Sequence, residues 1–160
     1  MNSYAKDGAL ILDKELQGGQ REIEHTCSIF PGGEINFRIT DPDIHSYDLI
    51  NIVQRVRSSE DFMKILMAAN AIDNLPQKPM ETLTLGYMPY ARQDRICNPG
   101  EAFGLKVVAN LLNNCGFGMI RIVDAHSTVT PALLDNCQNE SNLVFVTHAF
   151  NNFFSLYQNG

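Results

Sequence analysis

Two short polar runs hold the side chains best suited to chemistry. Arg92-Gln93-Asp94-Arg95 sets two guanidiniums around an amide and a carboxylate, and forked guanidinium donors can grip a polyphosphate. Asp124-Ala125-His126 spaces a carboxylate and an imidazole two residues apart, a pattern able to position a divalent cation directly or through water. Spacing alone leaves plainer readings open: Arg92 and Asp94 as a surface ion pair, and His126 as a partner for a loop carbonyl. Gly100-Glu101-Ala102-Phe103-Gly104-Leu105-Lys106 fails as a phosphate-cradling Walker loop. It has three residues between its glycines instead of four, Leu105 before the lysine, and Val107 where a hydroxyl is needed. No G-x-S-x-G elbow supports a hydrolytic serine.

Both runs follow segments that read as strands. Thr82 to Met88 leads into the first, and the compact run Met119 to Val123 leads into the second. In open α/β sheets ligands gather beyond the carboxyl ends of the strands. Between these strands Phe103, Val107, Val108, Leu111, Leu112 and Cys115 recur at helical spacing, and Gly116 closes the helix. Upstream, Ser58-Ser59-Glu60-Asp61 fits a capping box, followed by an apolar face of Phe62, Ile65, Leu66, Ala69 and Ile72. Tyr47 to Val53 reads as a further strand, Ala9 to Leu12 as a short buried one, and Leu143 to Val146 as a last one leading into a short helix through Phe154. Ile23, Cys27 and Ile29 fall on one face of a period-two strand. Pro31-Gly32-Gly33 marks a turn, and Ile35, Phe37 and Ile39 alternate with polar residues, so the two runs predict a hairpin with one wet face. Strands alternating with helices from residue 47 onward define an α/β fold with a largely parallel sheet.

The chain has 160 residues, with 12 Lys+Arg against 18 Asp+Glu, a net charge of −6. Hydrophobic residues make up 44% and charged residues 19%, which excludes a disordered chain and gives enough apolar surface for one packed core. The acidic balance argues against general nucleic-acid binding, which leaves a basic footprint. No apolar window approaches a membrane span, and the amino-terminal apolar run is too short for a signal-peptide core. Cys27, Cys97, Cys115 and Cys137 form no C-x-x-C pair and are expected to be reduced, partly buried thiols in a cytoplasmic protein.

The order Phe30-x-x-Gly33-Glu34, then Met88-Pro89-Tyr90-Ala91-Arg92-Gln93-Asp94-Arg95, then Lys106-Val107-Val108-Ala109-Asn110-Leu111-Leu112, then Val123-Asp124-Ala125-His126-Ser127 resembles the ribose-phosphate pyrophosphokinases, or PRPP synthetases. The likeness runs from about Phe30 to Asp135. It implies a phosphoribosyltransferase-like α/β fold: a mostly parallel sheet flanked by helices, with an amino-terminal β-hairpin. It also implies transfer of diphosphate from Mg-ATP to ribose 5-phosphate, giving PRPP and AMP. On this resemblance Arg92, Gln93 and Asp94 belong to the ATP site, and Phe30, Gly32 and Glu34 reach the adenine held by a neighbouring subunit of a homo-oligomer. Asp124 and His126 handle Mg2+, with His126 also catalytic. Asp135 joins that metal set, the family's acidic position beyond it being Asn139 here.

Three departures accompany the likeness. The family continues its Arg-Gln-Asp run with more basic residues and an Arg-x-Pro-Ile-Ser-Ala-Lys stretch, where this chain reads Ile96-Cys97-Asn98-Pro99-Gly100-Glu101-Ala102. The family's first helix is shortened between Asp13 and Glu22. Nothing after Asn139 resembles the family's ribose 5-phosphate loop or its mobile catalytic loop. Residues 1–160 are therefore expected to form a single ATP-binding domain without the carboxyl-terminal ribose 5-phosphate domain, inactive in isolation. A non-catalytic nucleotide-binding or assembly module that regulates a full-length homologue is the alternative.

Overall fold

The computed structural model describes residues 11–16, 19–143 and 146–147. In chain order the elements are β1 (Ile11–Leu16), β2 (Gly19–Glu22), β3 (His25–Ile29), β4 (Ile35–Ile39), a 3-10 turn (Ile44–Ser46), β5 (Leu49–Gln54), α1 (Ser59–Asp73), β6 (Met80–Leu85), α2 (Gly104–Asn113), β7 (Met119–Val123), α3 (Val129–Leu133) and β8 (Cys137–Glu140). A six-stranded sheet has the order β2-β1-β5-β6-β7-β8, and β3 and β4 form a separate two-stranded sheet. β5 through β8 run parallel, in registers such as Ile52↔Leu83, Leu83↔Ile120 and Ile120↔Cys137. β1 pairs antiparallel with both β2 and β5. Parallel neighbours in sequence order need right-handed crossovers, which puts α1, α2 and α3 on one face of the sheet.

That face is the core. Ile50, Ile52, Leu83, Leu85, Ile120 and Ile122 alternate along their strands and are buried against Ile65 and Ile72 of α1 and Leu105, Val108 and Leu112 of α2. Full burial of one such side chain stabilises by about 1.5–3 kcal/mol. Opposite-face positions are polar: Thr82 and Thr84 hydroxyls donate to Asn51 Oδ1 at 3.0 and 3.1 Å, and Arg121 lies 2.8 Å from Glu140. α1 begins as its sequence predicts. Ser58 Oγ accepts from Asp61 N at 3.1 Å, and Asp61 Oδ2 accepts from Arg57 N at 3.0 Å. α2 ends at Asn113 with Asn114 as its cap, and the turn that follows closes on Gly116 at φ 72°, a left-handed conformation that glycine adopts at little cost.

The hairpin expectation holds for β3 and β4, which pair from His25↔Ile39 to Ile29↔Ile35, with β4 lying on α1. Ile23 does not share a face with Cys27 and Ile29. It is fully buried in the core, in the link from β2 to β3, whereas Cys27 and Ile29 are exposed. The chain changes sheet there, with His25 Nδ1 against Ile23 O at 2.9 Å, and the alternation restarts. Asp41 then pins the loop that follows, accepting from Glu24 N, Asp43 N and the Tyr47 hydroxyl at 3.2, 2.9 and 3.0 Å.

Where the family's first helix is expected to be shortened, the β1–β2 hairpin stands instead, pairing Asp13 with Glu22. Leu143 and Val146 are helical, not extended, and Val146 N donates to Asn142 O at 3.2 Å. Among the described residues the last strand is β8, earlier in the chain. Ala9, Leu10 and the expected helix through Phe154 lie outside the described residues. All four cysteines are free. Cys115 and Cys137 are half-buried as expected, while Cys27 and Cys97 are exposed. Among the described residues no helix is long and apolar enough to cross a membrane.

Candidate active site

The first polar run leaves the carboxyl end of β6 through a loop anchored by Met88 and Ala91, both buried. Tyr90 between them sits at φ 60°, a conformation uncommon for a bulky residue and one that costs on the order of 1–3 kcal/mol. The turn is closed by Gln93 N donating to Tyr90 O at 2.8 Å, and Leu105 N donates to Gln93 O at 3.2 Å. The loop is thus seated on the first turn of α2. Gly104 makes that seat possible: a Cβ there would stand 2.9 Å from the Tyr90 ring and 3.2 Å from Gln93 Cδ. Arg92, Gln93 and Arg95 point outward, while Asp94 is only 7% exposed.

The second run leaves β7 through Asp124, at φ 55°. Its backbone is fixed to β8 from both sides. Asp124 N donates to Glu140 O at 2.7 Å, and Ala125 N donates to Asn139 Oδ1 at 3.0 Å. Asn142 Nδ2 donates to Asp124 Oδ2 at 2.8 Å. Asp124 and His126 are exposed.

Asp94 joins the two loops. Arg95 Nε lies 2.9 Å from Asp94 Oδ1. The Arg95 guanidinium first, and then the Ser127 hydroxyl, hold the Asp94 carboxyl below the usual carboxylate range, with the nearby His126 adding to the effect. The Asp94 carboxylate is therefore committed to its own protein, and a ligand would meet Arg92, Gln93 and Arg95.

On the helix side of the first loop lies an open cleft of about 660 Å³. Arg57, Ser58 and Phe62 at the start of α1 form one wall. Tyr87, Tyr90, Arg92 and Gln93 form another, and Gly104, Val107 and Leu111 of α2 form the third. The cleft combines guanidiniums with aromatic and aliphatic surface, as sites for organic anions do.

The remaining sequence candidates lie elsewhere. Phe30, Gly32 and Glu34 occupy the tip of the β3–β4 hairpin and do not line this cleft. Gly33 N donates to Phe30 O, and Phe30 N to Glu34 O, both at 2.8 Å. Gly33 at φ 88° supplies the turn, and Phe30 is left 52% exposed. Asp135 is not brought to the metal loop. It precedes β8, at the amino edge of the sheet, where its N–H donates to Asn113 Oδ1 at 3.0 Å. Asp124 follows β7 at the carboxyl edge, so strand rise separates them by roughly 16 Å. The expectation of Asp135 as a metal ligand is corrected by that geometry: two positions near in sequence stand at opposite ends of parallel strands.

Among the described residues no group of three or more His, Cys, Asp or Glu could enclose a cation. Magnesium does not need such a cage. It keeps its waters and binds through one or two carboxylates plus substrate phosphates. Asp124, with only Oδ2 hydrogen-bonded among the described residues, and His126 two positions on, both exposed, fit that mode. Sequence reading missed Arg57 and Asn142, and noted Asn139 only as standing at the family's acidic position. Arg57 stands one residue before a helix cap, a place where ligand-facing groups collect. Asn142 carries no motif of its own.

The fold and the site describe an α/β protein whose parallel strands deliver two interlocked polar loops to one edge. A family model described as the N-terminal domain of ribose phosphate pyrophosphokinase matches residues 12–116. The chain belongs to that family. A ribose-phosphate pyrophosphokinase of Aquifex aeolicus is 27% identical over 128 residues, covering 78% of this chain and 40% of its own length. One from Fusobacterium nucleatum is 30% identical over 122 residues, covering 75% and 36%. The crystal structure of phosphoribosylpyrophosphate synthetase from Mycobacterium smegmatis superposes with a TM-score of 0.66 at 25% identity, covering 81% of this chain and 44% of that one. The chain thus matches less than half the length of each of these relatives.

Proposed function

We propose that these residues form the ATP-binding half of a ribose-phosphate diphosphokinase, which transfers diphosphate from Mg-ATP to ribose 5-phosphate and releases AMP. The observation that carries this reading is the Asp94 carboxylate, which pairs with Arg95 of its own loop and meets Ser127 and His126 of the second, so that the two polar loops come together. Transfer of this kind depends on holding phosphates and neutralising their developing charge, with little covalent work for the protein. In this reading Arg92 and Gln93 hold the nucleotide, Asp94 keeps Arg95 and the second loop in place, and Asp124 and His126 hold Mg2+, whose chemistry is to neutralise phosphate oxygens.

The first test compares ATP binding with and without magnesium by calorimetry. Asp124→Ala and His126→Ala are each expected to lower affinity for Mg-ATP and to leave metal-free ATP binding nearly unchanged. Equal losses in both conditions would refute the metal role. Residues 1–160 alone are expected to release no AMP when ribose 5-phosphate is added. Positioning two reactants can supply roughly 7–11 kcal/mol of barrier lowering, and no residues here are assigned to the sugar.

The exposed hairpin tip supports a shared site. Phe30 and Glu34 are presented away from their own cleft, where they suit the adenine of a neighbouring copy, and base stacking on an aromatic ring is worth about 1–3 kcal/mol. Phe30→Ala is expected to weaken ATP binding about tenfold at concentrations where the chain self-associates and to have no effect on the monomer. The same loss in a proven monomer removes the shared site.

A further inference from the structure

The Asp124 loop is held by β8 and the residues after it with more care than a ligand-free turn needs. One asparagine, Asn139, accepts from Ala125 N at 3.0 Å and fixes the backbone. A second, Asn142, donates to Asp124 Oδ2 at 2.8 Å and fixes the carboxylate itself. The Asp124 N–H is already committed to Glu140 O at 2.7 Å, and φ 55° turns the side chain out of the strand. An amide on one carboxylate oxygen takes one of its lone pairs and fixes the rotation of the group, which favours contact with a cation through the other oxygen. That distinction matters chemically, because Ca2+ accepts two-oxygen carboxylate ligation in a flexible shell of six to eight oxygens, whereas Mg2+ demands octahedral geometry.

We propose that Asn142 is a positioning residue that keeps Asp124 a one-oxygen ligand and so sets the site's preference for Mg2+ over Ca2+, with Asn139 holding the loop behind it. The inference rests on the magnesium reading given above. Asn142 acts through Asp124 and touches neither nucleotide nor metal. Its side chain is exposed, so removing it leaves the buried core intact.

The test is calorimetric titration of ATP into the 160-residue chain in three conditions: excess Mg2+, excess Ca2+, and a chelator. For the wild type, Mg2+ is expected to raise ATP affinity more than Ca2+ does. In Asn142→Ala the gain from Mg2+ should shrink by roughly tenfold, the scale of losing an outer partner of a metal ligand. The gain from Ca2+ should hold or rise, and affinity in chelator should stay put. Asn139→Ala frees the loop backbone and is expected to lower both metal gains together. An Asn142→Ala loss of equal size in all three conditions would mean a merely structural role and overturns the inference. So does an unchanged Mg2+ to Ca2+ ratio. A wild type that gains nothing from either metal refutes the magnesium reading itself, and the inference falls with it.

Discussion

The two edges of the parallel sheet treat their carboxyl groups in opposite ways. At the carboxyl edge Asp94 and Asp124 have assigned partners: Arg95 and Ser127 for the first, Asn142 for the second. At the amino edge Glu81 enters the core side of β6 with Oε2 buried and no hydrogen-bond partner. Burial first, and the Asp73 carboxylate second, push its pKa up to about 7. One edge spends backbone strain, at Tyr90 and Asp124, to aim its polar groups. The other tolerates a mismatched carboxyl because nothing is asked of it. Wired polar groups distinguish the edge that carries the candidate site better than polarity alone does.

Cutting the wire at the carboxyl edge is the most disruptive test of that contrast. Asp94→Ala releases Arg95 and removes the acceptor for Ser127, so both loops lose their common anchor. Misplacement of about 1 Å can cost roughly 100-fold at a preorganised site, and Mg-ATP affinity is expected to fall by roughly 10- to 100-fold. Asp94→Asn keeps an acceptor and should lose much less. A wild-type affinity in Asp94→Ala would show that the two loops are positioned independently, and the contrast between edges would lose its basis.

Much of this arrangement is written locally. The Ser58 cap, the apolar face of α1, the bounds of β7 and the turn at Gly33 follow from spacing and residue type, because each depends on neighbours within a few positions. The resemblance placed the two loops, and the parallel topology explains why they meet. What spacing could not show is long-range. β8 carries Cys137-Gln138-Asn139-Glu140, too polar to read as a strand, and it pairs only because β7 presents a free edge. The resemblance put Asp135 with the metal loop, but the crossover through α3 returns it to the far edge. Asn142 and Asp124 are eighteen positions apart, and nothing in either residue's surroundings announces the bond.

A smaller effect is expected at the amino edge, where replacing Glu81 removes the mismatch. A carboxyl whose folded pKa is raised from 4.5 to about 7 keeps its proton in the folded state after the unfolded chain has lost it. Stability from this group is therefore complete below pH 4.5 and declines as pH rises through about 7. In full, a shift of this size is worth at most ~3 kcal/mol, and the side chain's partial exposure reduces it to about 1–2 kcal/mol. Glu81→Gln keeps the shape without the charge. The variant is expected to match the wild type near pH 4.5 and to exceed it by about 1–2 kcal/mol at pH 8, or roughly 2–8 °C in Tm at this chain length. Asp41 and Asp94 do not confuse the comparison. Burial opposes ionisation of Asp41, but the Asp43 and Glu24 N–H groups, Tyr47 and Arg21 outweigh it and hold its pKa low. Asp94 is lowered by Arg95 and Ser127, so both lose their contribution only as pH falls below the ordinary carboxylate range. Thermal melts of the two proteins from pH 4.5 to 8 should diverge with rising pH. Parallel curves would mean that Glu81 is solvated after all, and that the amino edge is as well wired as the other.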